Sequence, residues 1–426
     1  MDEYFLHFLW KFQKFETKPL QLTEGTRLSV FNPGIENKNA GPDFLEGKIR
    51  IGNIDWLGNI EVHYRSSDWN HHGHQNDRKY DNVILHVVWI YDMDIILPDG
   101  STLPTLQLSD FVSSTLENSY RKYINQPVTI KCASFLHTIN PIVLVNMLDQ
   151  ALAERLIFKS EKVLEVLKSN KNDWEQTTFQ LLARNFGFSV NNDPFEDWAK
   201  TIRYSQIKKY ADNPTKCFAI AFGQAGFLVN SSEPQTSLLW KEYSYLKKLL
   251  HLKTHLERHH WKFSRLRPPN FPTVRMAELL TFIIGQENLF SCIIESKNAK
   301  SIVDRFNITL PHYWQAHYDF GKPLKRGENN LGKASIHIII INTIVPILGA
   351  YSRYVGEQKY MDLAIELLQI LPAENNKIIR EWLKHDLKSK TAHDSQALLQ
   401  RYKFYCEKSR CLNCNIGMTI LQSGKK

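Results

Sequence analysis

The densest chemistry in the chain lies between Asn39 and His86. Asn39-Ala-Gly-Pro-Asp43-Phe leads into Gly47-Lys-Ile-Arg-Ile-Gly52, which alternates polar and apolar residues as a strand does. Gly52-Asn53 carries turn chemistry, and the alternation resumes from Ile54 to Tyr64 through Trp56, Ile60 and Val62. A hairpin of this kind sets the start of its first strand beside the end of its second, so Asp43 and Glu61 converge. In Glu61-Val-His63 the i and i+2 side chains share one face. Two carboxylates and a basic group on one edge can hold Mg²⁺ or Mn²⁺ and activate a water for phosphodiester hydrolysis. The ordinary alternative for Asp43 is a turn cap among its Asn neighbours.

Five of the sixteen histidines, His63, His71, His72, His74 and His86, fall in this same stretch. The His72-Gly-His74 pair could ligate zinc or manganese, with Asp68 or Asp77 as further donors. Against that stands a plain solvated loop. His86 sits in the apolar run Tyr80 to Trp89, where a satisfied core histidine is the usual occupant. Lys48, also on the hairpin, is a second basic group that could serve the acids.

Two further clusters stand out. Near the carboxyl end, Cys406, Cys411 and Cys414 have the spacing C-x4-C-x2-C, which can bring three thiolates to one metal or cluster. A fourth ligand would come from elsewhere, with Cys132 preferred over Cys217 and Cys292. Zinc suits soft ligands in tetrahedral array, and three unliganded thiols are the bland alternative. The stretch from His255 to Arg275 mixes Arg258, Trp261, Arg265, Arg267 and Arg275 with aromatics and prolines. Such residues can track a nucleic-acid backbone and stack on bases, or can satisfy helix ends in a buried polar junction.

The elements that must position these residues divide into two unlike parts. Residues 1–111 predict an α/β core: a helix over Met1 to Phe15, the hairpin, a buried strand at Tyr80–Trp89 and a sheet edge at Thr102–Leu108 after Asp99-Gly100. Residues 112–426 predict a larger, irregular helical domain carrying the cysteines, with helices at Pro141–Lys168, Trp174–Phe186, Phe195–Arg203, Leu238–Leu252, Val274–Ile284, Ala334–Leu348, Met361–Leu371 and Gln396–Tyr405. No repeat of fixed period is visible. A chain of 426 residues with 43% hydrophobic and 23% charged residues excludes disordered and fibrous classes. Six cysteines are too few for a disulfide scaffold. The run Ile336–Tyr351 is broken by His337, Asn342 and Pro346, which predicts a core helix and no membrane partner. Without a visible leader at Met1-Asp2-Glu3, the expected location is cytoplasmic. A net charge of +9 favours a polyanionic partner, nucleic acid first, though solubility alone could account for it.

Pro42-Asp43 and Glu61-Val-His63 resemble the PD-(D/E)xK nuclease superfamily, with histidine standing where that family has lysine. The resemblance implies a restriction-endonuclease-like mixed sheet, a Mg²⁺ or Mn²⁺ site at Asp43 and Glu61, and DNA as substrate. The segment Glu61 to His74 looks like the part that follows the core strand in very-short-patch mismatch-repair endonucleases. There the likeness falls on Trp69, His72 and His74, with an additional Asn70 or His71. The cysteines look similar to those of end-processing nucleases of the superfamily, which implies an iron–sulfur cluster on Cys132, Cys406, Cys411 and Cys414. Over nearly its full length the chain resembles one uncharacterised bacterial family known as a domain of unknown function. Its shared motifs run from Ala-Gly-Pro-Asp43-Phe to Arg-Cys411-Leu-Asn-Cys414-Asn-Ile-Gly. The leading expectation is a metal-dependent nuclease in which Asp43 and Glu61 hold the cation and His63, His72 or His74 assists. A non-catalytic nucleic-acid-binding protein and a histidine-ligated metallohydrolase of small molecules remain as alternatives.

Overall fold

A computed structural model describes every residue except 1–2, 16–17, 38, 127, 230–231, 254, 328, 386 and 424–426. The chain forms two compact units, residues 1–147 with 401–426, and residues 148–400. The expected boundary at 111–112 is therefore displaced, and the cysteine-bearing tail belongs with the sheet and not with the helices. The physical reason is burial: Tyr120, Leu412 and Leu421 share one apolar core with the first helix and the sheet.

The first unit opens with helix α1 (Glu3–Phe12), whose Phe5, Leu6, Phe8, Leu9 and Trp10 are buried. The expected start at Met1 lies outside the described residues. Seven strands follow: β1 (Leu20–Gln21), β2 (Arg27–Asn32), β3 (Ile35–Glu36), β4 (Phe44–Ile51), β5 (Ile54–Arg65), β6 (Val83–Ile90) and β7 (Thr105–Gln107). Their order in the sheet is β1-β2-β4-β5-β6-β7, with β3 paired to β4. The hairpin β4–β5 is antiparallel and closes with Ile51 opposite Ile54, so Gly52 at φ 60° takes the tight turn. Strand β6 runs parallel to β5, and β7 parallel to β6 at the edge, just after Pro104. From Val83 to Trp89 every residue of β6 is buried, as its unbroken apolar run requires. This is an α+β protein with a mixed sheet followed by a helical region.

Between β5 and β6 the chain forms the short helix α2 (Asp68–His71) and two single turns, His74–Asn76 and Arg78–Tyr80. Beyond the sheet come helix α3 (Ser114–Ile124) and the long helix α4 (Pro141–Ser169), which runs from the first unit into the second. The second unit is helical around a large apolar core built from Phe179, Trp198, Phe222, Leu279, Ile340 and Leu367 among others. The helical run Lys333–Val355 is apolar and long enough to cross a membrane. Two thirds of its apolar window (67%) is buried in the protein, and Ile336, Ile339, Ile340, Ile344 and Leu348 belong to the core.

Candidate metal centre

The pleat of β5 separates two sets of side chains. Ile60 and Val62 enter the core shared with α1, while Glu61 and His63 point the other way, toward the loop that follows α2. Strand β4 is clasped to this point by reciprocal bonds. The Asp43 N–H donates to Glu61 Oε2 at 3.1 Å, and the Val62 N–H donates to Asp43 Oδ2 at 3.0 Å. The expected convergence of Asp43 and Glu61 is thus present, held by backbone at the mouth of the hairpin. Lys48 lies five residues further along β4, with its ammonium over the Phe31 ring, so it does not replace the basic group at His63.

Three imidazoles meet above Glu61. His63 Nε2 stands 3.1 Å from His72 Nδ1 and 3.3 Å from His74 Nε2. Glu61 Oε1 stands 3.4 Å from His63 Nε2 and 3.3 Å from His74 Nε2. A metal bonded tetrahedrally at about 2.0–2.1 Å spaces its ligand atoms by about 3.3–3.4 Å, so these separations fit one ion. The donor atoms of His63, His72 and His74 all lie within 4.8 Å of one another. His63 and Glu61 are buried, His74 is half-buried and His72 is exposed, so the cluster opens to solvent on one side. His71 points away and pairs with Asp68 at 3.6 Å.

Local chemistry holds the loop. Asp92, just after β6, accepts from the Ser66 and Ser67 hydroxyls and the Ser67 N–H, while Asp68 accepts from the Arg65 N–H. Gly73 adopts φ 75°, a left-handed turn that lets His72 and His74 both face His63. Tyr80 stacks on His74 with centroids 3.9 Å apart, and buried Trp69 meets both His74 and His86 edge-on. His86 Nε2 lies 2.9 Å from His63 Nδ1, so His86 orients the His63 ring from behind. That is the usual service of a partner to a metal-ligating histidine.

The electrostatics favour a cation. Burial, then the Asp43 charge, pushes Glu61 up to about 9. Burial, followed by the neighbouring histidines, takes His63 down to about 2, and burial with His74 takes His86 down to about 3. His74 is also lowered, by burial and then His72. His63, His74 and His86 thus resist protonation, and the Glu61 carboxyl lacks a counter-charge, so a cation would relieve the burial of both.

One residue of the site is invisible in the hairpin motif. His7 on α1 places Nε2 3.3 Å from Asp43 Oδ2. Burial lowers its pKa, but the hydrogen bond and charge of Asp43, with Glu36 and Glu3, outweigh that and raise it overall. The sequence signal for it is slight: Glu3 and His7 stand one turn apart on the helix expected from Met1 to Phe15.

The other expected sites divide. Cys132, Cys411 and Cys414 are buried and Cys406 is half-buried, all in the first unit. Burial holds Cys132 well above the ordinary thiol range, and the nearby Cys406, Cys414 and Cys411 add to the effect. The four thus lie in one unit, near enough for the other three to act on Cys132. Cys217 and Cys292 lie in the second unit, where each thiol donates to backbone carbonyls. In the basic stretch, Trp261 is a correction: it is buried against Phe195 and Phe227 and donates to the Ala225 carbonyl at 2.8 Å. Arg275 is another, buried and paired with Glu278 at 2.7 Å and with Asn270 Oδ1 at 2.5 Å. Both were expected to face nucleic acid, and both serve the core instead: Trp261 fills the space between Phe195 and Phe227, and Arg275 lies on Pro272–Ile284, which is buried along nearly its whole length. Arg258 pairs with Asp319 at 2.5 Å and covers the Phe263 ring, whereas Arg265 and Arg267 are exposed.

Neither the curated proteins nor the solved structures include a match to this chain. A family model described as "Protein of unknown function (DUF2851)" matches residues 3–377, a span that holds every residue of the histidine centre and stops before the carboxyl-terminal cysteines. With most of its length matched, the chain belongs to that family.

Proposed function

We propose that this protein is a metal-dependent hydrolase of phosphodiester bonds in nucleic acid. The observation that carries this reading is that His72, His74 and Glu61 each place a donor atom 3.1–3.4 Å from His63 Nε2, with one side open to solvent. Buried ligands on one side and an open position on the other characterise a catalytic metal site rather than a closed structural one. The nitrogen-rich donor set moves the expected ion from Mg²⁺ toward Mn²⁺ or Zn²⁺, since Mg²⁺ prefers oxygen. His63, His72, His74 and Glu61 would hold a divalent ion, which would supply Lewis acidity toward water and a phosphoryl oxygen. Glu61 would anchor it from the strand, and His86 fixes the His63 ring. Asp43 holds His7 in a state that keeps its proton to higher pH, which suits His7 to protonating the leaving oxygen. The net charge of +9 supports a polyanionic substrate.

Nicking of supercoiled plasmid by the purified chain, with Mn²⁺, Zn²⁺ or Mg²⁺, tests the reading. Metal-dependent nicking should vanish in Glu61→Ala and in His72→Ala. Cleavage retained by both variants would remove the site assignment. The same nitrogen-rich donor set favours a second reading, a metallohydrolase of small molecules. That reading gains if the wild type binds one zinc ion per chain but neither cleaves nor retains DNA.

A further inference from the structure

The tail that folds back onto the first unit brings together groups the histidine centre does not use. Cys411 and Cys414 bracket a single tight turn, with the Cys414 N–H donating to the Cys411 carbonyl at 3.1 Å. Gly417 lies directly against Cys411, so close that a Cβ there would overlap the Cys411 carbonyl. The helix Asn415–Ser423 can therefore pack onto the turn only through glycine. Cys406 ends the preceding helical run Tyr402–Cys406, and Cys132 opens the turn Ala133–Thr138 from a distant part of the same unit.

Positive charge is buried beside these thiols. Arg401 is 1% exposed, and its Nε and Nη1 have no hydrogen-bond partner. Its one hydrogen bond runs from Nη2 to the Met147 carbonyl at 3.2 Å, and its guanidinium covers the Tyr405 ring. The Arg401 charge acts on Cys406, and the Lys131 charge acts on Cys411. A buried guanidinium with two idle donors is costly, and among the described residues no carboxylate pairs with it. An anionic group at the thiols would supply that balance.

We propose that Cys132, Cys406, Cys411 and Cys414 bind a metal centre as four thiolates, a site separate from the histidine centre and sharing no residue with it. Binding releases the four thiol protons to solvent. Four thiolates around a zinc ion, or around a four-iron cluster in its resting state, leave a net charge of about −2, which the Arg401 and Lys131 charges offset.

The full chain, purified without oxygen, should be assayed for iron, acid-labile sulfide and zinc. Cys132→Ala, Cys414→Ser, Cys217→Ser and the double variant His72→Ala/His74→Ala are compared with the wild type. Iron and sulfide in equal amounts, with visible charge-transfer absorption, identify a cluster. One zinc per chain that survives loss of both histidines identifies a zinc tetrathiolate. In either case the content should fall to background in Cys132→Ala and Cys414→Ser and stay at the wild-type level in Cys217→Ser. Should the cysteine variants fail to fold, the metal content of the double histidine variant decides alone. Absence of iron, sulfide and histidine-independent zinc from that protein, or full retention in a folded Cys414→Ser, overturns the proposal.

Discussion

Two stretches of this chain crowd residues with chemical potential, and they end in opposite places. The histidine-rich stretch from Glu61 to His86 turns its polar groups onto one point, where His72, His74 and Glu61 each place a donor atom 3.1–3.4 Å from His63 Nε2. The basic stretch from Arg258 to Arg275 scatters: Trp261 and Arg275 are buried in the second unit, Arg258 is paired with Asp319, and Arg265 and Arg267 face solvent. Residue density was similar in the two. The difference is that paired strands fix Glu61, His63 and His86 while a loop tied by Asp92 and turned at Gly73 returns His72 and His74 to them, whereas a proline-broken connection gives each side chain its own surroundings. Density of reactive types predicts a site only where the backbone returns them to one point.

Substitutions can break or sharpen this contrast. The largest effect is expected at the centre: Glu61→Ala or His63→Ala should reduce metal-dependent cleavage by about 10³-fold or more, or about 4 kcal/mol in the barrier, measured by single-turnover kinetics. In the basic stretch the loss should be of stability. Trp261→Ala and Glu278→Ala should each cost about 3–5 kcal/mol in urea unfolding, the first through a core cavity and the second by stranding Arg275. Equal loss of nucleic-acid affinity in a folded Trp261→Ala would return that residue to the interface.

A pH series sharpens the same point. Burial pushes Glu278 up to about 7, with the Arg275 charge and hydrogen bond pulling it back only in part. The folded protein therefore binds this proton more tightly than the unfolded chain. The resulting stability is fully present below about pH 4.5 and is lost as pH rises through about 7, of the order of 3 kcal/mol in all. Glu278→Gln should flatten the urea midpoint between pH 5 and 8; an unchanged slope would assign the pH dependence to other groups. A smaller effect is expected behind the metal. His86→Phe should lower metal affinity about 10–100-fold without removing a ligand, measured by competition with a chelator. Least of all, Arg265→Ala and Arg267→Ala should change stability by no more than about 0.5 kcal/mol. If these two arginines touch a phosphate backbone, each variant should reduce the salt dependence of binding by about one ion.

Much of the first unit was legible in the residue order because its signals are local. The alternation through β4 and β5, the Gly52-Asn53 turn and the unbroken apolar β6 each depend on neighbours within a few positions. Glu61 and His63 therefore shared a face before any tertiary contact was known. His72 and His74 were marked by type and proximity, but whether they formed a loop or a ligand set depended on Gly73 and on the Asp92 network that holds the loop. Helix bounds in the second unit moved more. Phe195–Arg203 became Phe188–Lys200, with Pro194 inside and a break at Asn191, because burial of Phe195 and Trp198 sets that helix as much as its caps do.

The sequence by itself determined the hairpin, the shared face of Glu61 and His63, and the split between a sheet-bearing part and a helical part, since pleat and helical period act within one element. Only the tertiary structure decided that His7 reaches Asp43 from α1, that His86 stands behind His63, that Trp261 and Arg275 are buried, and that residues 401–426 return to the sheet-bearing unit beside Cys132. Each of those joins residues far apart in the chain, and such contacts form where burying apolar surface outweighs ordering the chain between them, a balance no local pattern records.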